Sequence, residues 1–250
     1  MCTNYTPSAR AQLQAMPLGA RQLPQGDWPP EAFPGYEAPL VMAQPGATDD
    51  DTVRCVLARF GLVPRWSKDA AQAKDLSRHT LNARSESVAE KPSFRVPWRE
   101  RHFALAPMQD FFEPCWEYLS SHGGKSVRWR IAQADGEPFA AAALWEGWRD
   151  LASGDIVTSF SLLTVNADDH PLLRRMHRPG DEKRSLAIIE PADYGAWLHA
   201  TPEQALAMLR RPASTRLRGK PAPKATAVRR SAKPEAVLQQ PGFWDDEAPR

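Results

Sequence analysis

Phe139-Ala140-Ala141-Ala142-Ala143-Leu144-Trp145 and Ile156-Val157-Thr158-Ser159-Phe160-Ser161-Leu162-Leu163-Thr164-Val165 carry the reading of the fold. Both are nearly continuous apolar runs of strand length, the pattern of strands buried on two faces. Residues 53–62, 102–107 and 185–190 read as further strands. Helices are expected at 7–16, 191–199 and 201–210, the last with Thr201 as N-cap, Pro202 in the first turn and Gln204 at the capping-box position. Strands that do not alternate regularly with helices favour a single α+β domain, a mixed and largely antiparallel β core with flanking helices, over a doubly wound sheet. The stretch up to Gln44, dense in proline (Pro17, Pro24, Pro29, Pro30, Pro34, Pro39), is expected to cross the surface as extended coil. Gly61-Leu62-Val63-Pro64-Arg65-Trp66 is expected to lead into a polar loop over residues 67–78.

A chain of 250 residues, 42% hydrophobic with 9 Trp and 9 Phe, can fill a core of substantial size. No run approaches the roughly 18 apolar residues of a membrane span, and the first residues lack the regions of a signal peptide, so a cytoplasmic protein is expected. Cys2, Cys55 and Cys115 are an odd number without a close pair, which argues against a disulfide framework. Between Ala213 and Pro241 seven Lys or Arg face Glu235 alone, a balance of +6 that leaves −4 for the rest of a chain whose total is +2. This stretch is also rich in Pro and Ala, so residues 1–211 are expected to form the domain and 212–250 a disordered basic tail. Such a tail is either a solvated extension or a phosphate-attracting arm.

Phosphate-binding, dinucleotide-binding and common zinc motifs are absent, so no cofactor or metal is expected. Cys2 directly after Met1 is the distinctive feature. Aminopeptidase removal of Met1 leaves an N-terminal 1,2-aminothiol, whose amine, with a reference pKa of about 7.7–8.0, is partly neutral near pH 7.5. The amine condenses with an aldehyde to a Schiff base, and the thiol then closes a five-membered thiazolidine. By position alone, Cys2 reads first as an incidental second residue.

The order Met1-Cys2, Gly61-Leu62-Val63-Pro64-Arg65-Trp66, Asn82-Ala83-Arg84-Ser85-Glu86-Ser87, Phe111-Phe112-Glu113-Pro114 and Met176-His177-Arg178-Pro179 resembles the SRAP family of abasic-site processing proteins over roughly residues 1–209. The resemblance implies a monomer that binds single-stranded DNA containing an abasic site and cross-links to it through Cys2. It further implies that Asn82 hydrogen-bonds beside the N-terminal residue and the lesion sugar, and that Glu113 acts as general acid and base with His177 as partner. Arg84 is similar to a residue gripping a flanking phosphate, Trp66 to one stacking on a base, and Pro45 to one in a loop lining the DNA groove. A peptidase-like removal of the protein's own first residue is also associated with the family.

Read without the family, Glu113 is a strand end, His177 a loop residue, Asn82 a turn residue and Trp66 a core or groove-edge aromatic. The chain also departs from the family pattern. Thr3-Asn4 stands where Gly-Arg is usual, Met108-Gln109-Asp110 where Ala-Asp-Gly is usual, and Pro179-Gly180-Asp181-Glu182-Lys183 lengthens the path after His177, making Arg184 the candidate for a displaced DNA-contacting arginine. Two alternatives follow: a single-stranded DNA-binding module that has lost the chemistry, or a thiol peptidase using Cys2 and His177.

Overall fold

The computed structural model describes residues 2–20, 22–43, 53–117 and 124–224. Eleven strands form one mixed sheet: β1 Tyr5–Pro7, β2 Glu37–Met42, β3 Arg54–Phe60, β4 Asn82–Arg84, β5 Phe103–Cys115, β6 Val127–Gln133, β7 Phe139–Arg149, β8 Ile156–Asn166, β9 Arg184–Leu186, β10 Ile188–Ile189 and β11 Leu217–Pro221. Five of them close a ring, since β5 pairs with β7, β7 with β8, β8 with β3, β3 with β2, and β2 again with β5. Only β3–β8 is parallel in this ring, and β4 also runs parallel to β8. The mixed, largely antiparallel α+β architecture read from the sequence is the one observed.

The continuous apolar runs have a simple cause. Successive strand residues point to opposite faces, and here both faces are packed. In β7, Ala140, Ala142 and Leu144 enter one core while Phe139, Ala141 and Ala143 enter the other. The first core lies under the helices α3 Arg95–Arg99, α4 Tyr194–Leu198 and α5 Pro202–Met208, with Trp197 tilted on Phe103 at 5.1 Å. The second holds Cys2, Tyr5, Phe60, Phe111 and Phe160. Helix α5 has the expected Thr201–Gln204 capping box.

Three expectations need correction. Residues 67–78 are not a loop throughout, because α2 spans Ala70–His79 with the Asp69 carboxylate accepting from the Gln72 amide. The proline-rich stretch before Gln44 ends in a strand, β2. Pro39 is tolerated there because β5 joins β2 only at Val41 and Met42, leaving Pro39 with one neighbouring strand. The segment expected as tail contributes β11, which pairs along β6 from Leu217↔Gln133 to Pro221↔Trp129. The ladder is made by backbone groups, to which composition is blind, and Leu217 anchors it in the second core. Residues 225–250 and Pro45 lie outside the described residues. Among the described residues no helix is long and apolar enough to cross a membrane.

Candidate functional site

Strand β5 builds the site. Its first half pairs with β2 and β7, and its second half, carrying Glu113, pairs with β1 and β6. The β1–β5 register places Tyr5 opposite Phe111, and the Phe112 amide donates to the Asn4 carbonyl at 3.1 Å, so the residues just before β1 run beside Glu113. The Cys2 thiol donates to that same carbonyl at 3.4 Å. From β4, the Asn82 side-chain amide donates to the Cys2 carbonyl at 2.8 Å. Two independent strands therefore grip the N-terminal segment. Oδ1 of Asn82 is buried without a partner among the described residues, an acceptor left for a ligand.

His177 approaches from the other side. It has φ +60°, a left-handed conformation costing about 1–2 kcal/mol for a residue with a Cβ. Its amide bond to the Pro114 carbonyl (2.9 Å) and the Cys115↔Met176 bridge hold it there. The result puts Nδ1 at 3.5 Å from Oε2 of Glu113 and Nε2 at 3.3 Å from the Arg184 carbonyl. A carbonyl only accepts, so Nε2 carries the proton and the lone pair of Nδ1 faces Glu113.

Burial sets the protonation states. It pushes the Glu113 carboxyl up to about 7 and the His177 imidazole down to about 4. At neutral pH the imidazole is therefore neutral, and the carboxyl is poised between acid and carboxylate. The contact is therefore not an ion pair, and in its acid form the carboxyl can donate to the neutral imidazole. Burial also pushes the Cys2 thiol up, far from thiolate formation. A hollow of about 370 Å³ opens at His177, lined also by Trp116, Arg174, Arg175 and Lys183.

The remaining predicted residues lie apart from this cluster. Arg84, in β4 beside Asn82, is exposed and pairs with Glu182 at 2.8 Å. Arg184 is 2% exposed and committed to structure: it holds both oxygens of Glu86 at 2.9 Å, Glu182 at 2.7 Å and the Thr164 carbonyl at 2.7 Å. The inserted segment after His177 thus supplies Glu182, which clamps both arginines. Of its donors only Nε is without a partner among the described residues, and that atom is buried.

Trp66 is 47% exposed on a rigid mount. Arg65 grips the buried carboxylate of Glu146 through Nε (2.9 Å) and Nη2 (3.0 Å). The Val63 amide bonds Ser159 at 2.8 Å, and the Trp148 ring N–H bonds the Ser67 carbonyl at 2.8 Å. Gly61 begins the segment at φ +109°, where a Cβ would meet the Ser77 carbonyl oxygen at 2.4 Å. Residue-type reasoning missed Glu146, Glu86 and the Asn4 carbonyl. Backbone acceptors and long-range pairings leave no signal in residue identity.

The whole arrangement has relatives. The profile of the SOS response associated peptidase (SRAP) family matches residues 1–228. The chain is 29% identical over 178 residues to "Abasic site processing protein YobE" of Bacillus subtilis, covering 71% of this chain and 72% of that one. It is 24% identical over 181 residues to "Abasic site processing protein HMCES" of Mus musculus, covering 60% of this chain and 50% of that protein. A solved Bordetella bronchiseptica protein superposes with a TM-score of 0.77 at 28% identity, covering 88% of this chain and 99% of that one. A Bacteroides thetaiotaomicron structure at 20% identity, with a TM-score of 0.73, shares the fold. With a profile match over most of its length and a fold shared with solved relatives, the chain belongs to the SRAP family.

Proposed function

We propose that this protein recognises an abasic site in single-stranded DNA and captures it covalently through Cys2 after removal of Met1. The observation carrying the reading is the buried Glu113 carboxyl, poised near neutrality beside the segment that bears Cys2. The names of the relatives, abasic-site processing proteins, point to the same substrate.

The chemistry follows from the protonation states. Glu113 in its acid form protonates the sugar ring oxygen as the hemiacetal opens, and the resulting carboxylate takes up the proton of the C1′ hydroxyl, freeing the C1′ aldehyde and restoring the acid. The Cys2 amine attacks C1′ first, because burial keeps the thiol protonated. The carbinolamine loses water, with Glu113 again supplying the proton to the departing hydroxyl. The thiol then adds to the imine carbon, its proton ends on nitrogen, and a thiazolidine closes. Aldehyde and aminothiol thus give thiazolidine and one water. His177, with its lone pair toward Glu113, holds the carboxyl in its acid form between steps, and Asn82 fixes the Cys2 carbonyl while offering Oδ1 to the lesion sugar. The suppressed thiolate also weighs against the thiol-peptidase alternative, which needs it at the outset.

Arg84 and Trp66 serve the strand. A surface pair such as Arg84–Glu182 is worth only about 0–1 kcal/mol, so a DNA phosphate can displace Glu182. The test is incubation with a single-stranded oligonucleotide bearing one abasic site, read by denaturing electrophoresis and intact mass. A heat-stable adduct lighter than the sum of its parts by one water supports the proposal. Its absence, with Met1 verified as removed, refutes it.

A further inference from the structure

The β6–β11 ribbon carries a set of cations that the capture chemistry does not use. Residues directly opposite in neighbouring strands share a face. Phe112 lies opposite Arg130, which lies opposite Lys220; Asp110 lies opposite Ala132, which lies opposite Arg218; and Pro114 lies opposite Arg128. One face of three adjacent strands therefore bears Arg128, Arg130, Arg218 and Lys220. Glu113, one residue from Phe112, projects to the other face.

Not all four cations are already spent. Arg128 caps the Phe112 ring and pairs with Glu31, and Arg130 pairs with the buried Asp110. Arg218 and Lys220 are exposed and make no side-chain hydrogen bond or ion pair among the described residues. Arg218 reaches toward the turn at Gly136, where a Cβ would come within 3.1 Å of Nη2, yet it forms no ion pair with the flanking Asp135 or Glu137. Together with Arg130 and Gln109, these two side chains line a hollow of about 240 Å³. The surface is concave, bordered by amide and guanidinium donors, and set on an edge strand that no further strand covers among the described residues. Two cations at i and i+2 stand about 6.8 Å apart along a strand, a spacing that lets each meet a separate anionic group of an extended polyanion. In sequence the cations continue past β11, with Lys224, Arg229, Arg230 and Lys233.

We infer that the Arg130–Arg218–Lys220 face is a second contact for the sugar-phosphate backbone of single-stranded DNA, holding the strand away from the lesion rather than at it. This rests on the proposed function for its choice of polyanion. It also gives the strand a path: the lesion at Glu113, with flanking phosphates passing around the edge of β11 onto the opposite face.

The experiment compares undamaged single strands of about 8 and about 30 nucleotides, spanning the usual site size of such binders, on the full chain and on Arg218→Ala/Lys220→Ala, by fluorescence anisotropy over a salt series. Wild type is expected to show a steeper salt dependence on the long strand. The double variant should lose that excess, its log–log slope falling by about 1.4 for two phosphate contacts on a single strand, with the short strand unaffected. Lys220→Glu should weaken the long strand further still. Equal slopes for both lengths in wild type, or an unchanged slope in the folded double variant, overturn the inference. So does displacement of the long strand by polyglutamate at matched charge as readily as by unlabelled DNA, which assigns an acidic-protein surface. Capture of a short abasic strand, measured in parallel, separates the two ideas. If capture fails while the slope change persists, this surface stands and the proposed function falls.

Discussion

The pocket of Cys2, Glu113 and His177 and the cluster of Arg84, Glu86, Glu182 and Arg184 lie on neighbouring elements and handle charge in opposite ways. In the pocket, desolvation outweighs the neighbouring charges and pushes the Glu113 carboxyl up to about 7 and the His177 imidazole down to about 4, so both groups tend to neutrality. In the cluster, the same degree of burial at Arg184 is offset by two carboxylates, which are themselves held below the usual carboxylate range. Burial that outweighs the neighbouring charges thus makes a proton donor, whereas burial matched by carboxylate partners makes a fixed scaffold. The pocket is suited to moving protons and the cluster to holding β4, β8 and β9 in register.

Substitutions in the two regions should accordingly differ in kind. The largest effect is expected from Cys2→Ala: the heat-stable adduct vanishes, while a Schiff base through the amine remains trappable by borohydride. A stable adduct without reductant would show that the thiol closes no ring. Next comes Glu113→Gln, expected to slow capture by about 100-fold, within the range of about 100 to 10,000 for a positioned acid–base group, leaving the adduct mass unchanged. A wild-type rate in single-turnover assays makes Glu113 a bystander.

The cluster should respond through stability instead. Arg184→Ala takes both oxygens of Glu86 and one partner of Glu182 out of charged hydrogen bonds, a loss of about 2–3 kcal/mol after allowing for the exposure of the carboxylates. Urea titration reads it, and the residual folded protein should bind single strands with wild-type salt dependence. A reduced slope would instead assign Arg184 to the DNA surface. Trp66→Ala is expected to cost about 1–3 kcal/mol of binding if a base stacks there, with no change in capture chemistry at saturating protein. The smallest effect is Arg84→Ala, a decrease of about 0.7 in the salt slope with stability nearly intact.

Much of the fold was legible because both faces of the ring are packed, so β5, β7 and β8 stand out as apolar runs. Other elements left weaker traces. Helix α2 buries only Ala73 and Ser77, too little apolar surface to print a period. Strand β6 alternates Arg128, Trp129, Arg130 and Ile131, a weaker trace than the continuous apolar runs, and Leu217-Arg218-Gly219-Lys220-Pro221 has the composition of a tail. At the site, Cys2, Asn82, Glu113 and His177 were visible through motif order, and they do converge. The protonation state of His177 was not visible, because desolvation depends on packing from β5 and the His177 loop at once. The enclosure of Arg184 was hidden for a related reason. An arginine after an insertion reads as exposed until the inserted Glu182 and the distant Glu86 are seen to enclose it.

The central claim is that Glu113 works as a neutral acid created by burial, and the pH dependence of single-turnover capture tests it directly. The rate should rise as the Cys2 amine, with a reference pKa of about 7.7–8.0, loses its proton. It should fall as Glu113, raised to about 7, loses its own, producing a bell. In Glu113→Gln the falling limb should disappear, leaving a slower rate that climbs and levels with the amine. A wild-type profile without a falling limb, or the same bell in both proteins, would contradict the account.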